Sequence, residues 1–183
     1  MHLQPLRSLC ALLQHRWSIV VLAELQRSSG SKFVTLVNQL GLSRGSLTLS
    51  LQHLVAQGLV RRNAGYGHPL RPEYLPTLRG AALGKDCLAL VRLVRAQAAE
   101  RVAYCKWSLP LLLAMGKDKS RFNALGAALG DITPRAQTLA LKSLENIGWI
   151  RREVDCGYPP VATYQPSRHG QGIQTVLQRL CAH

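Results

Sequence analysis

The chain has 183 residues, 47% of them hydrophobic, and 23 Lys and Arg against 9 Asp and Glu leave a formal net charge of +14. It is too apolar for a disordered segment and long enough to bury one or two cores. No apolar run approaches the roughly 20 residues of a membrane span, so a membrane protein is excluded by this reading.

The start of the chain has one arginine, a broken apolar stretch and no small-residue cleavage site, so no secretory signal is expected. Five cysteines contain no CxxC pair, and neither they nor the histidines show zinc spacing. No metal, no cofactor and a cytoplasmic location are the expectation. Phosphate loops, paired carboxylates in a short motif and Cys–His nucleophile patterns are absent from the sequence, so no enzyme is expected. The positive charge is even, +7 in residues 1–91 and +7 in residues 92–183. That balance points to a polyanion touching both halves, and charge alone does not separate DNA, RNA and anionic membrane.

In chain order, a first helix is predicted from about Arg16 to Arg27, ending at the turn Ser28-Ser29-Gly30-Ser31. A second, about Lys32 to Leu40, carries Phe33, Leu36, Val37 and Leu40 on one stripe and is broken by Gly41. Ser43 is a good N-cap for a third helix, because its hydroxyl can accept from a free backbone N–H two or three residues on. Leu47, Leu51 and Leu54 form the buried face of that helix, and Gly58 closes it. Two β-type stretches follow, at 59–65 and 71–75, as a two-stranded ribbon, and Thr77 starts a fourth helix. Pro76 and Pro166 each remove a ladder donor from a returning strand, so short or irregular wings are expected. From Leu78 to about Ala103 the pattern is helical without proline, predicting one helix that links the halves, with or without a dimer role.

The whole series then recurs. "LQHLVAQGLVRR" at Leu51–Arg62 returns as "LKSLENIGWIRR" at Leu141–Arg152. Arg16-Trp17-Ser18 matches Lys106-Trp107-Ser108, Lys32-Phe33 matches Arg121-Phe122, and Ser43 matches Thr133. Gly58, Tyr74 and Gly80 match Gly148, Tyr164 and Gly170. Polar punctuation and apolar spacing recurring in order indicate a duplicated domain. The expected fold is therefore mainly α with small β wings, as two tandem winged helix-turn-helix domains at 1–90 (with an N-terminal helix) and 91–183. A pseudo-two-fold axis should relate them, with Trp17 and Trp107 in equivalent core positions.

At these motifs the chain resembles the HxlR-type winged-helix transcriptional regulators. The second half carries the resemblance closely, in "CKW", "RFNAL", "ITPRAQTLALKSLENIGWIRR" and "YPPVATY". The first half carries it more loosely, in "HRW", "KFVTL", "LSRGSLTLSLQHLVAQGLVRR", "HPLRPEY" and "TLRG". The resemblance implies double-stranded DNA as partner and transcriptional regulation as function. It also implies sensitivity to a small-molecule or redox effector, with Cys10 near the position where some relatives sense oxidants; a buried or idle thiol is the alternative. Family members usually dimerise, so this chain is either a monomer with an internal pair of reading heads or a homodimer with four.

A helix-turn-helix lays its last helix in the major groove, and a basic wing follows the phosphates. The exposed side of the first recognition helix should then offer Ser43, Arg44, Ser46, Ser50, Gln52 and His53, and that of the second Thr133, Arg135, Thr138 and Lys142. Arg61, Arg62 and Arg71 on one wing, and Arg151 and Arg152 on the other, are the expected phosphate contacts. Leu49 and Leu139 fall opposite the buried stripe, where relatives tend to carry basic residues. They either touch thymine methyl groups or cover a protein surface. In the second case the chain is a winged-helix interaction module that has lost base-specific DNA binding.

Overall fold

The computed structural model describes residues 3–63, 72–116, 120–155, 157, 158 and 160–182. The chain divides into a first compact unit, Leu12–Leu93, and a second, which joins Val94–Ala182 with the N-terminal residues up to Ala11. The N-terminal helix α1 (Leu3–Leu12) therefore packs with the second unit, although the sequence placed it with the first half. Its Leu6 and Leu9 are buried at helical spacing.

In the first unit, α2 (Ser18–Ser28) is buried along most of its length. A short strand β1 (Ser31–Lys32) precedes α3 (Phe33–Leu40), and α4 (Arg44–Ala56) follows the turn at Gly41. Strands β2 (Val60–Asn63) and β3 (Glu73–Pro76) lead into α5 (Leu78–Ala96). The second unit repeats the order after a one-turn α6 (Glu100–Ala103), with α7 (Ser108–Ala114), β4 (Ser120–Arg121), α8 (Phe122–Leu129) and α9 (Pro134–Asn146). Then come β5 (Ile150–Asp155), β6 (Val161–Pro166) and α10 (Arg168–Leu180). The fold is mainly helical with two small sheets, as the sequence predicts.

Each sheet has three strands where a two-stranded ribbon was expected, in the orders β1-β3-β2 and β4-β6-β5. The extra strand is two residues long, below what periodicity can signal, and pairs Ser31 with Tyr74 and Ser120 with Tyr164. The prolines do not make the wings irregular. Pro76 and Pro166 stand opposite Val60 and Ile150 at the ends of antiparallel ladders, where a missing donor costs little.

The same hydrogen bonds close both recognition helices. Gly58 and Gly148 take φ of 66° and 71°, and the N–H groups of Leu59 and Trp149 donate to Leu54 and Leu144, each at 2.9 Å. Positive φ past a helix end favours glycine. The next helix is then fastened to that turn. Thr77 and Ser167 donate their hydroxyls to the carbonyls of Gly58 (2.9 Å) and Gly148 (2.6 Å), and accept from the N–H of Gly80 and Gly170. A Cβ on Gly80 would lie 1.8 Å from the Leu59 carbonyl oxygen, and one on Gly170 would lie 2.0 Å from that of Trp149. The recurring Thr/Ser-x-x-Gly is thus a cap plus a close backbone approach.

Two further expectations are corrected. The linking helix does not run to Ala103. It ends at Ala96, because Ala98 takes a left-handed φ of 50° and the Ala99 N–H donates back to Val94. Within the second unit the turn is held by the indole N–H of the fully buried Trp149, which donates to Gln97 Oε1 at 2.7 Å. Trp17 and Trp107 are equivalent but are not core residues. Each precedes its helix half-exposed, with Arg16 or Lys106 over its ring at 4.9 and 4.7 Å.

Candidate nucleic-acid interface

Helices α4 and α9 stand third in the helix-turn-helix order of their units, each 13 residues long and each preceded by a shorter helix and a tight turn. Ser43 and Thr133 hold the N-caps, accepting from the N–H of Ser46 and Ala136 at 3.2 Å. Their oxygens satisfy donors that the first turn leaves free, so the primary work of both residues is to place the helix start. Arg44 and Arg135 stand exposed in those first turns, and Gln52 and Lys142 lie exposed further along. Ser46 is half-buried and accepts a 2.9 Å bond from the Ser43 hydroxyl. Thr138 is exposed, with its hydroxyl donated to the Pro134 carbonyl at 2.9 Å.

Two residues expected on the exposed face of α4 lie inside. Ser50 is 1% exposed and donates to the Ser46 carbonyl at 2.9 Å. It immediately precedes Leu51 on the rim of the buried stripe, and the back-bond to its own helix satisfies its hydroxyl there. His53 is 8% exposed, its ring 4.8 Å from that of His15 in a tilted pair. As the neighbour of Leu54 it stands about 100° round the helix from that leucine, beside the stripe, and the His15 ring lies against it there.

The residues α4 and α9 bury are otherwise the expected leucines, with one substitution that the sequence reading missed. Gln137 occupies the position of Leu47 and is 2% exposed, donating its amide to the Phe122 carbonyl at 2.7 Å. That bond ties α9 to the start of α8, and Gly126 leaves room for it, since a Cβ there would meet Gln137 Oε1 at 2.7 Å. A polar residue in register with a leucine of the duplicated stripe was the available signal.

On the wings Arg61, Arg62, Arg151 and Arg152 are all exposed. Among the described residues none of them, nor Arg44, Arg135 or Lys142, forms an ion pair. Successive side chains of a strand point to opposite faces. Arg62 and Arg152 share the face of the buried Val60 and Ile150 and stand opposite Tyr74 and Tyr164, whereas Arg61 and Arg151 are on the other face, opposite Leu75 and Gln165. Each pair therefore straddles its strand. Glu153, which accepts from Gln165 Nε2 at 2.7 Å, lies on the Arg151 face and dilutes its charge. Arg71 lies outside the described residues.

Cys10 is half-buried in α1, and burial, the largest influence, raises its thiol above the ordinary range. Lys106 opposes that shift and Asp131 reinforces it. Burial, with a smaller effect of Cys10, pushes Cys181 to about 11. A raised thiol holds little thiolate at neutral pH and is slow to oxidise. Among the described residues no cluster of His, Cys, Asp or Glu is arranged to hold a metal ion, and no helix is long and apolar enough to cross a membrane.

Several known proteins are similar to the chain in sequence. Over 95 residues the chain is 35% identical to an HTH-type transcriptional regulator of Synechocystis sp., covering 50% of this chain and 68% of that protein. It is 33% identical over 76 residues to one from Methanothermobacter thermautotrophicus and 32% identical over 77 residues to YtcD of Bacillus subtilis. Each of these two matches covers 42% of this chain, and they span 58% and 61% of the relatives' own lengths. A solved MarR-family regulator from Porphyromonas gingivalis superposes with a TM-score of 0.45 at 18% identity, covering 48% of this chain and 85% of that one. The HxlR-like helix-turn-helix family matches residues 12–101 and again residues 102–183. The chain therefore belongs to the HxlR-like helix-turn-helix family, a non-catalytic class of DNA-binding transcriptional regulators, and carries its domain twice in tandem.

Proposed function

We propose that this protein regulates transcription by binding one operator through both of its recognition helices, α4 and α9, each meeting one half-site. The carrying observation is that a single chain presents two capped recognition helices of equal length, each with an exposed arginine in its first turn that forms no ion pair among the described residues. Even charge along the chain, +7 in each half, supports contact of both units with the same polyanion. Arg44, Gln52, Arg135 and Lys142 read base edges, while one arginine of each wing pair meets phosphate. Such a role places the protein with the chromosome, in the cytoplasm.

One chain per operator is the expected stoichiometry. Footprinting with the full chain should show two protected half-sites whose centres lie about one helical turn, or a whole number of turns, apart. Protection of a single half-site per chain, or a stable homodimer on a four-part footprint, would overturn the two-heads-per-chain reading. Leu49 and Leu139, more than half exposed, favour a second reading as a protein-interaction module. Selection from a random duplex pool separates the two, since only the DNA reading enriches one operator sequence over random DNA, whereas a chain of charge +14 binds any duplex weakly at low salt.

A further inference from the structure

We propose that both recognition helices read a thymine C5-methyl group, through a Thr–Leu pair that each presents, and that the two half-sites differ beside this shared thymine. The proposal rests on the DNA-binding reading above and names what its heads recognise.

Aligned on their caps, α4 and α9 have just two exposed positions with identical residues in their central turns, Thr48 with Thr138 and Leu49 with Leu139. The leucines are 54% and 58% exposed, opposite a stripe that is almost wholly buried. Both threonine hydroxyls donate to a carbonyl one turn back, Thr48 to Arg44 at 2.8 Å and Thr138 to Pro134 at 2.9 Å. With those donors engaged inside the helix, what the pair offers a partner is largely methyl groups. In the major groove the apolar feature of a base-pair edge is the thymine methyl, which Thr methyl and other apolar side chains contact. Cations on the same helices, Arg44 on α4 and Arg135 and Lys142 on α9, suit a duplex, whose phosphates and guanine edges both attract positive charge.

Outside this shared pair the two helices diverge. Gln52 occupies the place of Lys142, Arg44 that of Pro134, and Gly45 that of Arg135. Glutamine pairs with the adenine edge, and lysine or arginine with guanine O6 and N7. The half-site under α4 then carries adenine where the one under α9 carries guanine, so the operator is an imperfect repeat around a common thymine.

The test starts by selecting the tightest duplex from a random pool with the full chain, then replaces its thymines one at a time with deoxyuridine. That change removes a methyl group and leaves every hydrogen-bonding group in place. One thymine in each half-site should cost about fourfold in affinity, the equivalent of about 0.8 kcal/mol for one buried methyl-sized group. Leu49→Ala should abolish that sensitivity in one half-site and Leu139→Ala in the other; both changes are at exposed helix positions that tolerate alanine. Gln52→Lys should shift the selected base beside the first thymine from adenine to guanine. A selected operator with no uracil-sensitive thymine, or sensitivity that survives both leucine variants, overturns the methyl readout while leaving DNA binding intact. Leucine variants that bind every duplex like the wild type but lose self-association overturn it in favour of a protein-covered patch. If no duplex is selected over random DNA, the DNA-binding reading fails and this one falls with it.

Discussion

At the residue scale, the side chains that recur between the two halves divide into those that shape backbone and those left for a partner. Gly80 and Gly170 belong to the first kind. Alanine at either must push a Cβ into a carbonyl oxygen now 1.8 or 2.0 Å from where it would sit, and backbone cannot yield as a flexible side chain does. Gly80→Ala and Gly170→Ala should each cost about 1–3 kcal/mol or more in a denaturant titration. Gly172→Ala, in the same helix α10 with open space around it, should instead gain about 0.5–1 kcal/mol. Equal effects of the two α10 changes would show that the clash is relieved at no cost. Cys10 is limited by its surroundings in another way. Burial keeps its thiol protonated, so alkylation near neutral pH should be slower at Cys10 than at the exposed Cys105, and should accelerate as pH rises toward its raised pKa. Mass spectrometry of a time course reads this directly. Cys10 labelling first would restore it as a sensor candidate.

At the scale of elements, the end of α5 shows how a helix can stop without a sequence signal. The run Ala96-Gln97-Ala98-Ala99 contains no glycine or proline, and local propensity favours continuing the helix. The chain nevertheless turns, with Ala98 at φ 50°, Ala99 buried and Gln97 bound to the Trp149 indole. A left-handed alanine costs about 1–2 kcal/mol, which the tertiary contacts of its neighbours offset. Ala98→Gly should therefore raise stability, by about 0.5–1 kcal/mol once the added freedom of the unfolded chain is subtracted. A loss of stability on thermal denaturation would mean that the turn is not strained. Gln137 makes the complementary point within α9. A polar residue can stand in a leucine stripe there because its buried amide finds an acceptor in the Phe122 carbonyl.

At the scale of the whole molecule, charge and pleat together decide how salt acts on DNA binding. The four described wing arginines would release about four counterions if all met phosphate, each contributing about 0.9 to the slope of log affinity against log salt. Alternation of side chains along β2 and β5 lets only one arginine of each pair meet a backbone lying on a given face. Replacing both Arg61 and Arg62 by alanine should then flatten the slope by about 0.9 and not by twice that, with one single variant carrying nearly the whole change. The pair Arg151 and Arg152 should behave alike. Preference for operator over random DNA should hold in all of these, since phosphate contacts carry no base information. A double variant that loses about 1.8 would mean that the wing bends its outer residues onto one side.

The sequence by itself determined the duplication, the element order and the winged helix-turn-helix class. Each of these rests on short-range rules: helical periodicity, an N-cap at Ser43 and Thr133, glycines past the helix ends. It also placed Leu47, Leu51 and Leu54 inside and Leu49 outside, because one helix has one buried stripe. Only the tertiary structure decided the rest. Ser50 and His53 flank that stripe, and whether a flanking residue faces in or out depends on which neighbour reaches it, here His15 for His53. The third strand of each sheet is two residues long and exists only because β3 or β6 lies beside it. The assignment of α1 to the second unit, and the end of α5 at Ala96, depend on partners far along the chain. Local pattern fixes which face of an element is apolar, and only long-range packing fixes what that face meets.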